Sequence, residues 1–177
     1  SVSANSMLRM ESAEQTNALT QSSNAIDWVK TGSGADVVID NSATNNRIDM
    51  GDGNDQFVDS TGSSADTIIG GAGIDTVNYS GISSATSLTI DLTAGTAKAG
   101  AVVDQLYGVE YIRAGAGADV VFGDSNANYL NGNAGADSLE GYAGNDTIEL
   151  RGGFVNGTIT QGAGVDTFKM TGGRSEE

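Results

Sequence analysis

The chain contains no cysteine, no proline and no histidine. Without cysteine there is neither a disulfide frame nor a thiolate zinc site. Without histidine the usual general base and the usual transition-metal ligand are missing, which excludes zinc-protease motifs and Ser–His triads. Aromatic residues make up only 6% of the 177 residues. No apolar run approaches the ~18 residues that a membrane-spanning helix needs, and no amino-terminal signal peptide is recognisable. The abrupt ends at Ser1 and Glu177 read as those of a fragment. Basic residues are scarce as well: 8 Lys and Arg stand against 23 Asp and Glu, a net charge of −15. Such a chain repels nucleic acid and anionic lipid and attracts cations.

What is present is glycine, 26 residues of it, and aspartate, 16 residues against only 7 glutamates. Aspartate suits turns and hard-cation sites, whereas glutamate suits solvated helix faces. The two residue types recur together. Asp119, Asn128, Asp137 and Asp146 follow one another at intervals of nine, each trailed two positions later by an aliphatic residue: Val121, Leu130, Leu139, Ile148. Asp27, Asp36, Asn46, Asp55, Asp66 and Asp75 repeat the pattern at intervals of 9, 10, 9, 11 and 9, with Val29, Val38, Ile48, Phe57, Ile68 and Val77 behind them. A last copy ends in Asp166-Thr167-Phe168.

Glycine at the turn positions lets the backbone take positive φ and aim carbonyl oxygens inward. The aspartate adds a carboxylate, and hard oxygen donors are what calcium takes, six to eight at a time. The residues after it form a short strand with one side chain directed into a core. The best single copy is Gly70-Gly71-Ala72-Gly73-Ile74-Asp75-Thr76-Val77-Asn78. It resembles the nonapeptide G-G-x-G-x-D-x-U-x of the repeats-in-toxin (RTX) proteins. The resemblance extends over residues 22–78 and 108–170.

That resemblance implies an all-β fold, a right-handed parallel β-roll with calcium in its turns. The ligands it implies come from several turns: Gly32, Gly34 and Asp36; Gly51, Gly53 and Asp55; Asp66; Gly71, Gly73 and Asp75. In the second half they are Gly115, Gly117 and Asp119; Asn128; Gly135 and Asp137; Gly144 and Asp146; Gly162, Gly164 and Asp166. Eighteen residues make one coil of two strands and two turns, so turns alternate between two edges. Asp36, Asp55 and Asp75 are expected on one edge, and Asp27, Asn46 and Asp66 on the other. Asp119 should stack on Asp137, and Asn128 on Asp146 and Asp166. On the order of four to seven ions would fill such an array. Stacked carboxylates ~4.8 Å apart repel by about 3 kcal/mol per pair at an effective dielectric of 20. The chain is therefore expected to be largely unfolded without calcium.

Residues 79–107 break the pattern. Leu88 to Leu92 alternates as a half-buried strand, and Thr93 to Gly100 reads as a small polar loop. This segment is expected to continue the stack without metal. Residues 1–21 are expected to be a cap or worn repeat, and 171–177 a tail. The tyrosines, Tyr79, Tyr107, Tyr111, Tyr129 and Tyr142, are expected on the surface. Because the repeat commits the carboxylates to turns, no catalytic pair is expected. Two roles fit the resemblance: a structural segment of a surface-layer or adhesin protein, or the export and folding module of a type I secreted enzyme or toxin. Both place the chain outside the cell. Expected partners are calcium and either copies of the chain or a cell-surface polysaccharide; neither nucleic acid nor membrane insertion is expected.

Overall fold

A three-residue segment with one central aliphatic buries it by pointing that residue inward and its neighbours out. The structure, a computed structural model that describes residues 7–12, 18–21, 28–151 and 158–171, does this repeatedly. Among the described residues every regular element is a strand, and together they wind a β-solenoid of two sheets. The first sheet contains β1 (Met7–Ser12), β3 (Trp28–Ser33), β5 (Arg47–Asp52), β7 (Thr67–Ile69) and β9 (Leu88–Asp91). It continues with β10 (Thr96–Ala99), β11 (Val102–Tyr107), β13 (Val120–Phe122), β15 (Ser138–Glu140) and β17 (Thr158–Thr160). The second contains β2 (Ala18–Gln21), β4 (Val37–Asp40), β6 (Gln56–Asp59) and β8 (Thr76–Asn78), then β12 (Tyr111–Arg113), β14 (Tyr129–Asn131), β16 (Thr147–Arg151) and β18 (Thr167–Thr171).

Successive coils pair in parallel and in register, which stacks the inward residues into two ladders. In the second sheet Leu19, Val38, Phe57, Val77, Ile112, Leu130, Ile148 and Phe168 lie side by side. In the first sheet Val29, Ile48, Ile68 and Leu106 form one run, and Ile90, Val121, Leu139 and Ile159 form another. Most of these side chains are fully buried. Each fully buried one contributes roughly 1.5–3 kcal/mol of hydrophobic stabilisation. The core is one side chain deep per strand, so packing alone gives the turns little support.

The first sheet has ten strands and the second eight. The difference is β9, β10 and β11, an antiparallel meander standing where a single strand would suffice. Its outer strands run parallel to β7 and β13, so the stack is unbroken. Residues 93–100, expected as a loop, contain β10. Its small residues carry no strand signal of their own, and pairing on both sides makes the strand, with Ala97 buried beneath it. Tyr79, expected on the surface, is 1% exposed. Its ring joins Ile82, Leu88 and Val109 in the core beside the meander, and its hydroxyl donates to Asp104 Oδ2 at 2.7 Å.

Candidate metal-binding turns

The turns collect on two edges. On the first edge, Asp36 N–H donates to Asp55 Oδ1 at 2.7 Å, and Asp55 N–H to Asp75 Oδ1 at 2.8 Å. Asp75 N–H continues the column to Glu110 Oε2 at 2.9 Å. Beyond it, Asn128 N–H donates to Asp146 Oδ1, and Asp146 N–H to Asp166 Oδ1, at 2.9 and 3.0 Å. On the second edge Asn46 N–H reaches Asp66 Oδ1, Asp66 N–H reaches Asp104 Oδ1, and Asp119 N–H reaches Asp137 Oδ1, at 2.8, 2.9 and 3.0 Å. Leu88 takes the slot before Asp119, its N–H on Asp119 Oδ1 at 2.8 Å. One carboxylate oxygen thus caps the backbone of the preceding coil. Asp27 lies outside the described residues.

The second oxygen separates two kinds of turn. Oδ2 of Asp55, Asp75, Asp119, Asp137 and Asp146 is buried without a hydrogen-bond partner. A buried carboxylate oxygen in that condition is costly unless a cation or donor meets it. Glycine carbonyls line the same turns. A Cβ on Gly51 would fall 1.9 Å from the Gly32 oxygen, one on Gly71 1.8 Å from the Gly51 oxygen, and one on Gly73 1.7 Å from the Gly53 oxygen. Gly135 and Gly164 meet the Gly117 and Gly144 oxygens in the same way, at 1.9 and 1.6 Å. A side chain is therefore excluded at these five glycines, and carbonyl oxygens of one turn lie against the next. Gly32, Gly34, Gly51, Gly53, Gly71, Gly73, Gly135, Gly144 and Gly164 all take positive φ. Gly115, Gly117 and Gly162 sit in equivalent turns without positive φ; a Cβ on Gly117 would still strike the Thr86 oxygen at 2.2 Å.

The sequence pattern did not single out the glycine that opens each turn. A Cβ on Gly70, Gly132 or Gly141 would lie 2.6, 2.4 or 2.4 Å from Oδ2 of Asp75, Asp137 or Asp146. These glycines leave the space into which the orphan oxygen projects. Position one of the nonapeptide was the available signal.

Asp66 is placed differently. Its Oδ2 accepts from Ser64 Oγ at 3.0 Å, so both of its oxygens are engaged. Around it the second edge closes with side chains. Asp40 Oδ1 accepts from Ser42 N–H, and Asp40 Oδ2 from Asn46 Nδ2. Asp59 Oδ1 accepts from the N–H and hydroxyl of Thr61 and from Gly62 N–H. Asn128 is also distinct, since its Oδ1 accepts from Asp124 N–H at 2.8 Å.

Burial is the largest influence on these acids. It pushes Asp55, Asp104 and Asp119 up to about 6 and Asp66 to about 7, against opposing backbone N–H donors, with neighbouring carboxylates adding to the rise. Asp75, Asp137 and Asp146 are raised for the same first cause.

The donors are all hard oxygens: an orphan carboxylate oxygen and glycine carbonyls, with no thiolate or imidazole. They fit calcium. Among the described residues no three acidic, His or Cys side chains converge as a metal cluster. An ion held here by Asp55, Asp75, Asp119, Asp137 or Asp146 would draw most of its ligands from backbone carbonyls. Bound calcium would supply positive charge to the carboxylate column, not a reactive centre.

The family model of the RTX calcium-binding nonapeptide repeat (4 copies) matches residues 60–78, 104–137 and 122–154. No curated protein matches the chain. The turns at 32–36, 51–55 and 162–166 lie outside the matched residues, yet Asp36 and Asp55 are hydrogen-bonded in line with the matched Asp75, and Asp166 with the matched Asp146. No helix among the described residues is long and apolar enough to cross a membrane. Residues 60–78 and 104–154 thus carry RTX calcium-binding nonapeptide repeats, and these support a calcium-binding structural module.

Proposed function

We propose that the chain is a non-catalytic module of a larger secreted bacterial-type protein, folding when it meets calcium outside the cell, and that it serves as a structural segment of a surface-layer or adhesin protein. The observation that carries the calcium dependence is the row of buried Oδ2 atoms without partners at Asp55, Asp75, Asp119, Asp137 and Asp146. Like charges stacked in a thin core oppose folding until a cation meets them, so binding free energy becomes folding free energy. Calcium is scarce inside cells and abundant outside, which gives the transition a direction. The structural-segment reading draws support from the second edge, where Asp40, Ser42, Asn46, Asp59, Thr61 and Ser64 close turns with side-chain hydrogen bonds. An array serving only to couple export to calcium has no use for turns that close without it.

Circular dichroism during a calcium titration tests the first part. The chain should be mostly disordered in chelator and β-rich at millimolar calcium, with magnesium a poor substitute because it keeps its waters and demands a small octahedron. An unchanged β spectrum in chelator would refute it. Sedimentation of the calcium-loaded chain, alone and with cell-envelope polysaccharide, tests the second part. Association with either supports the surface role, and association with neither favours a folding-and-export module.

A further inference from the structure

The first edge carries an open groove of about 540 Å³ between the hairpin turn after β9 and the stacked turns 123–128 and 141–146. It opens where the regular stack of turns is interrupted by the meander. The hairpin turn is tied to the neighbouring coil by Leu92 N–H on the Phe122 oxygen and Thr93 Oγ1 on the Gly123 oxygen, at 3.0 and 3.2 Å. Among the described residues no lysine or arginine lines the groove, while Asp91 and Asp124 both do.

Tyr142 forms one wall. It occupies the second position of its nonapeptide, where the corresponding turns carry Gly51 and Gly71, and it takes φ 64. Glycine adopts that left-handed conformation freely and a tyrosine does not. The ring stacks offset on Phe122, centroids 5.9 Å apart and planes 11° from parallel, yet stays 40% exposed. The acids are held in place: Asp91 Oδ1 accepts from Ala94 N–H at 2.9 Å, and Asp124 accepts from the N–H and Nδ2 of Asn126 at 2.7 and 2.8 Å. Each carboxylate retains lone pairs beyond these bonds.

We propose that this groove binds an organic cation, the ammonium or guanidinium of a lysine or arginine side chain presented by a partner polypeptide. The ring of Tyr142 offers its face to the charge, Asp91 and Asp124 neutralise it, and the hydroxyls of Thr93 and Ser125 accept its remaining N–H groups. Charge decides against a neutral sugar, which would cover two carboxylates and compensate neither. Geometry decides against another metal, because the groove is walled by a ring and neither Asp91 nor Asp124 has the buried, unpartnered carboxylate oxygen that marks the metal-binding turns.

The test uses the calcium-saturated, 15N-labelled chain titrated with Nα-acetyl-lysine methylamide, the neutral norleucine analogue and methyl glucoside. Saturable amide shifts confined to residues 91–94, 123–126 and 141–143 are expected with the lysine compound. The norleucine analogue should bind about tenfold more weakly, and ~0.5 M salt should weaken the lysine compound. Tyr142→Gly suits the backbone at φ 64, so it should keep the calcium-induced spectrum and lose about fivefold in lysine affinity. Because folding is read in the same spectra, loss of the fold and loss of binding are distinct. Absence of saturable shifts, equal response to norleucine, response to the glucoside alone, or full lysine affinity in folded Tyr142→Gly would each overturn the proposal.

Discussion

Each position-six carboxylate divides its two oxygens between two tasks. Asp55 Oδ1 holds the Asp36 amide, while Oδ2 is left for a cation. Asp55→Asn keeps an oxygen for the amide and removes the charge, so the calcium midpoint in a circular-dichroism titration should rise about tenfold. Asp66→Asn should move it less than about threefold, since Ser64 already meets Asp66 Oδ2. Equal shifts for the two would show that the second edge binds metal there as well. Gly73→Ala should unfold in guanidinium with more than about 2 kcal/mol lost, even in saturating calcium. Its Cβ would lie 1.7 Å from the Gly53 oxygen, on a residue at φ 141. Nine-residue spacing made the carboxylate columns legible, because register follows from period. It could not distinguish Asp66 from Asp55, because that difference rests on a serine two residues away and not on spacing.

Among the elements, β9 was legible from the alternation of Leu88, Ile90 and Leu92, and β10 was not, because Thr96-Ala97-Lys98-Ala99 becomes a strand only through its neighbours. The side-chain network of the second edge was hidden for a related reason. Its acids, Asp40, Asp59, Asp66 and Asp104, come from four separate stretches of chain and influence one another's charge only once the coils stack. That network has a pH signature. Asp104 and Asp66 sit near 6 and 7 in the fold, above the ordinary 3.8, so the folded form holds protons more tightly than the unfolded chain. Their favourable contribution is complete below about pH 4 and is lost as pH rises through 6 to 7. In chelator, lowering the pH from about 8 to about 5 should therefore increase β structure. Over the same descent the calcium midpoint should move to higher concentration, since protons compete for Asp55 and Asp119, which also sit near 6. Metal-free samples that lose β signal on acidification would contradict this account.

For the whole molecule the question is whether the halves fold separately. In a solenoid each coil contacts only its neighbours, so order propagates until a weak interface stops it. Residues 79–107 supply no Gly-x-Gly turn, and a flexible linker there would divide the chain into two calcium-dependent units. The contacts are instead continuous in both sheets. β7 pairs with β11, β11 with β10, β10 with β9 and β9 with β13. On the opposite side β8 pairs directly with β12. Tyr79 and Ile82 are buried within this junction, and Asp75 N–H crosses it to reach Glu110. Calcium bound to either half should thus stabilise the other through ordinary packing. Hydrogen exchange at subsaturating calcium should show residues 28–78 and 108–151 gaining protection together, with one midpoint. Tyr79→Phe should lower that midpoint's cooperativity, because it leaves Asp104 Oδ2 buried without its donor, at a cost of about 1–3 kcal/mol within the junction itself. Two separately protected populations divided near residue 90 in the unmodified chain would mean that the meander, although paired on both sides, does not couple the coils it joins.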